Sequence, residues 1–212
     1  MTDATIYALG TPTPLRAHPG AISVIRLSGP QAAEALVALT GKATLPEPRR
    51  MVLRTLRDPS SGEAIDRGLV VRFEAPNSET GEPMAELHLH GGRAVVGAAL
   101  DAIARLGFCR LAEPGEFTRR AFEHGKLDLT EAEGIADLVA AETAAQRRQA
   151  LQQMDGALHR LYETWRSAGL RALAHLEAAI DFPDEDLPSG LADEVRTAIA
   201  ALQAEISTHL AD

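Results

Sequence analysis

The sequence predicts an α+β domain followed by helices, and two observations carry that prediction. The hydrophobic pattern changes along the chain, from short β-branched runs to stripes that recur every three or four residues. The charge changes with it. Residues 1–126 hold 15 Lys+Arg against 14 Asp+Glu, whereas residues 127–212 hold 6 against 16. The expected organisation is therefore an α+β domain over residues 1–117 and helical structure over residues 118–212.

Ala21–Gly29, AISVIRLSG, is rich in β-branched residues and closes on Ser-Gly, the pattern of a strand and its end. SGPQAAEALVALTG reads as a helix, with Ser28 or Gly29 as cap, Pro30 in the first turn and Gly41 at the exit. Arg67–Glu74 reads as a second strand, and APNSETGEP after it favours bends throughout. MAELHLH alternates as a strand, and RAVVGAALDAIARLG as a helix ending at Gly107. FCRLAEPGEF is a short strand entering a Pro-Gly turn. In the second part, LDLTEAEGIADLV places Thr130 and Glu133 at capping-box spacing. Leu151, Met154, Leu158, Leu161 and Trp165 form one apolar stripe, which Leu173, Leu176 and Ile180 continue until Pro183 and Pro188 forbid helix. Leu191, Val195, Ile199, Leu202, Ile206 and Leu210 mark a further helix without a stop signal. Two or three long helices are expected, forming an unfinished bundle in a fragment of a longer protein.

The composition excludes several classes. Hydrophobic residues make up 45% and charged residues 24%, ordinary values for a soluble globular protein, and the net charge is −9. There is no run of 18 apolar residues and no basic-then-apolar leader. A single cysteine, Cys109, allows no internal disulfide, and a cytoplasmic location is expected. The acidic second part is a poor phosphate-binding surface, so RNA contact is expected on the first.

The segment AELHLHGGRA holds the densest candidate chemistry. Glu86, His88 and His90 alternate, so a strand presents all three on one face. His-x-His is a common pair of metal ligands, but hydrogen-bonded packing is the stronger reading for His88. Gly91-Gly92 either lets a ligand approach a helix N-terminus or simply makes a tight turn. Glu86 is the sharper clue, because a carboxylate on an apolar strand needs a partner. Its oxygens can grip the adjacent N–H donors of a pterin or guanine edge, or bond an arginine. Arg26, between Ile25 and Leu27, is a second charge of this kind, and the two either pair or serve one ligand. Lys126 sits where the two parts meet, a usual place for a pocket, although a lone lysine is more often only solvated. There is no G-x-x-x-x-G-K-[ST] and no G-x-S-x-G, so the chain reads as a binding and assembly module.

TIYALGTP, VIRLSGP, APNSETGE, ELHLHGG, EPGEFTRRAFEHGKLDLTEAEGIADLV and EAAIDFPDED occur in this order. Together they resemble the N-terminal part of the MnmE (TrmE) family of tRNA modification GTPases, over nearly the whole chain. The resemblance implies a tetrahydrofolate-binding domain similar to that of glycine-cleavage T-protein, followed by a partial helical domain into which a GTPase domain is inserted further on. It implies a homodimer formed by the N-terminal domains and a flavin-dependent partner, MnmG. With that partner the family adds an aminomethyl or carboxymethylaminomethyl group to carbon 5 of wobble uridine-34 in tRNA. The one-carbon unit comes from a folate, for which 5-formyltetrahydrofolate is the test ligand; GTP, potassium and magnesium belong to the GTPase domain. The family's folate-contacting positions fall on Arg26, Glu86 and Lys126. Two departures stand out: GTPTPLRAHPG is longer than the usual loop, and NSETGEP places Glu79 where an aromatic is usual and Pro83 where an acid is. A dimerisation scaffold with a vestigial pocket and a free-standing one-carbon transferase are the alternatives.

Overall fold

The computed structural model describes residues 4–12, 20–181 and 191–211. It divides into two compact units, Met1–Leu127 and Asp128–Asp212. The first contains β1 (Thr5–Leu9), β2 (Ile22–Ser28), α1 (Ala32–Thr40), β3 (Val52–Arg57), β4 (Ala64–Phe73), β5 (Met84–His90), α2 (Arg93–Ala104), β6 (Cys109–Leu111) and α3 (Glu116–Glu123). The strands form one sheet in the order β3-β4-β5-β2-β1-β6. All neighbours are antiparallel except β1 and β6.

Side chains alternate between the two faces of the sheet. Tyr7, Ile25, Leu27, Val70 and Leu87 point to one face, where they form the core with Leu36 and Leu39 of α1 and Ala99 and Ile103 of α2. Arg26, Glu86 and His88 therefore point to the other face. The register makes Arg26 the direct partner of Glu86, and Val71 the partner of Glu86 on its far side.

The strands at 22–28 and 84–90 lie where the pattern predicts them, and β4 begins three residues before the expected Arg67. Those at Thr5–Leu9 and Val52–Arg57 were not anticipated, since each is short and stands outside the punctuated runs. Neither Ser28 nor Gly29 caps α1. Its N-cap is Gln31, with no side-chain cap bond; the Gln31 N–H donates instead to Thr5 Oγ1 at 2.8 Å. Gly41 closes α1 at φ 61°, as its position suggests. The first unit runs ten residues beyond the expected Phe117, to Leu127, because α3 is bonded into it. Arg120 Nη2 donates to the Ala4 carbonyl at 3.0 Å, and Nη1 donates to both Glu82 oxygens at 3.0 and 3.1 Å.

Among the described residues the second unit holds four helices, two of them long: α4 (Leu129–Ala140), α5 (Ala144–Met154), α6 (Ala157–Asp181) and α7 (Leu191–Ala211). The capping box of α4 is Asp128 with Glu131, not Thr130 with Glu133; Thr130 Oγ1 donates to Asp128 Oδ1 at 2.7 Å. Thr143 and Gln146 form an equivalent box on α5. The stripe from Leu151 to Trp165 is interrupted at Gly156, whose φ of 69° is outside the helical range. Pro183 and Pro188 lie outside the described residues.

Candidate functional site

The face of the sheet opposite the two helices carries a chain of polar contacts built from three segments. The register of β2 against β5 brings Arg26 and Glu86 side by side, and Arg26 Nε donates to Glu86 Oε1 at 2.9 Å. His88, two residues along β5 on the same face, places Nε2 3.1 Å from Glu86 Oε2. The far side of the Arg26 guanidinium is met by the loop after β4, where Glu79 Oε2 lies 2.7 Å from Nη1. Glu86 is 14% exposed, against 37% for Arg26 and 49% for Glu79. The energetic cost of a carboxylate on this strand is thus offset by two donors. Each Glu86 oxygen accepts one of these bonds and keeps a lone pair.

The loop that supplies Glu79 is fastened by other groups. Ser28 Oγ, two residues beyond Arg26 on β2, shares a 2.7 Å hydrogen bond with Thr80 Oγ1 and lies 2.7 Å from Glu82 Oε2. Arg120 holds the same Glu82 carboxylate from α3. The Gly29 N–H donates to the Pro83 carbonyl at 3.0 Å. Lys126 follows α3 and reaches the start of the loop, where Nζ donates to the Pro76 carbonyl at 3.0 Å. At Gly81, φ is 78°, and a Cβ would lie 2.9 Å from His124 Cβ and 3.3 Å from Lys126 Cγ, so the loop can pass there only as glycine.

The structure thus brings Arg26 and Glu86 into contact and places Lys126 against the same loop as Glu79. Glu79 and His88 complete the polar chain. The sequence marks Glu79 only as a departure and favours packing for His88; no pattern in one strand can show which loop folds over it. His90 belongs elsewhere, its Nδ1 lying 2.9 Å from Asp66 Oδ1 on β4. The first glycine of the pair is explained by the protein's own backbone. A Cβ on Gly91 would fall 2.1 Å from the Gly20 carbonyl oxygen, and the Gly91 N–H donates to the Ala21 carbonyl at 3.1 Å. A separate cavity of about 880 Å³ in the second unit is lined by Leu161, Trp165, Glu205 and His209. The Glu205 carboxylate accepts from Trp165 Nε1 at 3.0 Å.

Residues 5–126 match the family model described as GTP-binding protein TrmE N-terminus, and residues 129–212 match the MnmE helical domain. The chain belongs to the MnmE family. The two matches flank the division between the units at Leu127/Asp128. Among its relatives is the tRNA modification GTPase MnmE of Parvibaculum lavamentivorans, 56% identical over 98% of this chain and 46% of that protein. MnmE of Caulobacter vibrioides is 55% identical over 100% of this chain and 45% of its own length. The mitochondrial 5-taurinomethyluridine-[tRNA] synthase subunit GTPB3 of Rattus norvegicus is 52% identical over 91% of this chain and 39% of its own. The chain spans about half the length, or less, of these relatives. No helix among the described residues is long and apolar enough to cross a membrane.

Proposed function

We propose that this chain is the folate-binding and dimerising portion of a tRNA modification GTPase. The observation that carries the folate reading is the Arg26–Glu86 contact, fixed by strand register on the face opposite α1 and α2. A pterin edge alternates N–H donors with a carbonyl acceptor. Glu86, with a lone pair left on each oxygen, accepts from the donors, and the Arg26 guanidinium donates to the acceptor beside them. Because Arg26 and Glu86 touch at 2.9 Å, both face one end of the ligand. That leaves Lys126 as the cation for the carboxylate-bearing end. The bound tetrahydrofolate supplies a one-carbon unit; the residues here hold and orient it. The likeness of this unit to the folate domain of glycine-cleavage T-protein is part of the same proposal.

Calorimetry with 5-formyltetrahydrofolate tests the reading. Heat from the wild-type chain that disappears in Glu86→Ala is the expected result; no heat, or heat that Glu86→Ala leaves unchanged, removes the folate assignment. In the full-length protein, the proposed activity is modification of carbon 5 of wobble uridine-34 in tRNA together with the flavoprotein MnmG, in the cytoplasm. GTP, potassium and magnesium are assigned to a GTPase domain outside the matched residues. This chain has no G-x-x-x-x-G-K-[ST] and is expected to turn over no GTP.

Exposed apolar side chains on the sheet support the proposed homodimer. Leu53, Leu69, His88 and Val24 make one row across four segments of the sheet, on the face of Glu86. Leu53 and Leu69 are exposed, and Ile22 is exposed one row further out. An apolar strip of this kind favours burial against a partner. A dimerisation scaffold with a vestigial pocket is the second reading, and the Glu79 carboxylate already seated on Arg26 favours it. A sedimenting dimer with a flat folate titration would establish that alternative.

A further inference from the structure

We propose that Glu79 is an internal competitor for Arg26, a tethered carboxylate that the ligand must displace and that sets the affinity of the site. The inference rests on the folate reading above and adds a residue that governs its strength.

Arg26 meets two carboxylates that differ in how firmly they are held. Glu86 is fixed opposite Arg26 by the β2–β5 register, is 14% exposed and bonds Nε. Glu79 comes from a loop, is 49% exposed and takes Nη1 at 2.7 Å. Ion pairs as open to water as the second contribute little, since solvent and salt replace each partner readily. The Glu79 contact is therefore the one that yields, while the Arg26–Glu86 contact persists as part of the binding surface.

The loop backbone does not have to open for this exchange. Thr80 and Glu82, on either side of Gly81, are fastened to Ser28 and Arg120. A rotation of the Glu79 side chain alone frees Nη1 for an acceptor atom of the ligand. The fastened loop also keeps Glu79 close at hand, so the competition is intramolecular and is not diluted away. An acid at this position thus weakens the binding of any ligand that places a carbonyl or carboxylate oxygen on Arg26, and disfavours anionic ligands most.

The test compares wild type, Glu79→Gln and Glu79→Ala by calorimetry with 5-formyltetrahydrofolate, with thermal melting to confirm equal folding. Both variants are expected to bind about twofold to fivefold more tightly, the range for losing an exposed ion pair. High salt, which screens the internal pair, should narrow the gap between wild type and variants. If wild type binds and the variants bind equally or more weakly, Glu79 is no competitor and this proposal alone falls. If none of the three binds, the folate reading falls and this inference with it.

Discussion

At the scale of single residues, charges in the first unit are stable where they are buried together and exchangeable where they are open. Glu116 is the clearest buried case. Arg110 donates to it at 2.8 Å, Arg120 at 3.0 Å and the Glu113 N–H at 2.8 Å. These donors, Arg110 foremost, outweigh burial and hold its carboxyl from the usual 4.5 down to about 2. The native state therefore binds the proton less readily than the unfolded chain, and stability rises with pH across that interval. Urea unfolding between pH 5 and pH 2 should show a loss on the order of 3 kcal/mol from this one group. Glu116→Gln should be less stable at pH 7 and lack that part of the slope; an unaltered slope would show that other carboxylates carry it. Cys109 is the opposite case. Burial, and then the charge of Glu34, push its thiol up to about 11. Iodoacetamide at pH 8 should modify it about a hundredfold more slowly in the native protein than in urea, because the thiolate is the nucleophile. Equal rates would mean that the site is open.

At the scale of elements, helix boundaries were the least legible feature, and caps explain why. The Asp128–Glu131 box starts α4 two residues before the position suggested by Thr130 and Glu133. Both spacings fit the same pattern, and only the backbone path decides which side chain faces the free N–H groups. Asp128→Ala should cost the helical unit about 1 kcal/mol, read as a lowered thermal transition, whereas Glu133→Ala should change it little. The turn after β5 offers a paired test of backbone approach. Gly91→Ala puts a methyl 2.1 Å from the Gly20 oxygen, while at Gly92 nothing lies within 4 Å of a Cβ and φ is an ordinary −71°. Gly91→Ala should therefore destabilise far more than Gly92→Ala in denaturant titration. Similar losses at both positions would remove the claim that close approach, rather than turn flexibility, explains the first glycine. The missed strands have a related cause. Thr5–Leu9 and Val52–Arg57 are short, and what makes each a strand is its neighbour in the sheet rather than its own pattern.

At the scale of the whole molecule, the exposed row of Leu53 and Leu69 is where association is expected. Leu69→Glu should convert a sedimenting dimer into a monomer without loss of the thermal transition; a dimer that persists would place the interface elsewhere. The sequence alone determined the division into an α+β part and a helical part and most of the strands and helices, and it marked Arg26, Glu86 and Lys126 as candidates, because period, charge balance and motif spacing are local properties of a chain. Tertiary structure decided what those residues meet. Arg26 and Glu86 are 60 positions apart and become partners through register, and Glu79 reaches Arg26 because a loop between two strands is fastened down by Ser28 and Arg120. Long-range pairing of this kind leaves no periodic trace, since it depends on which strands are neighbours and on where a connecting loop is anchored.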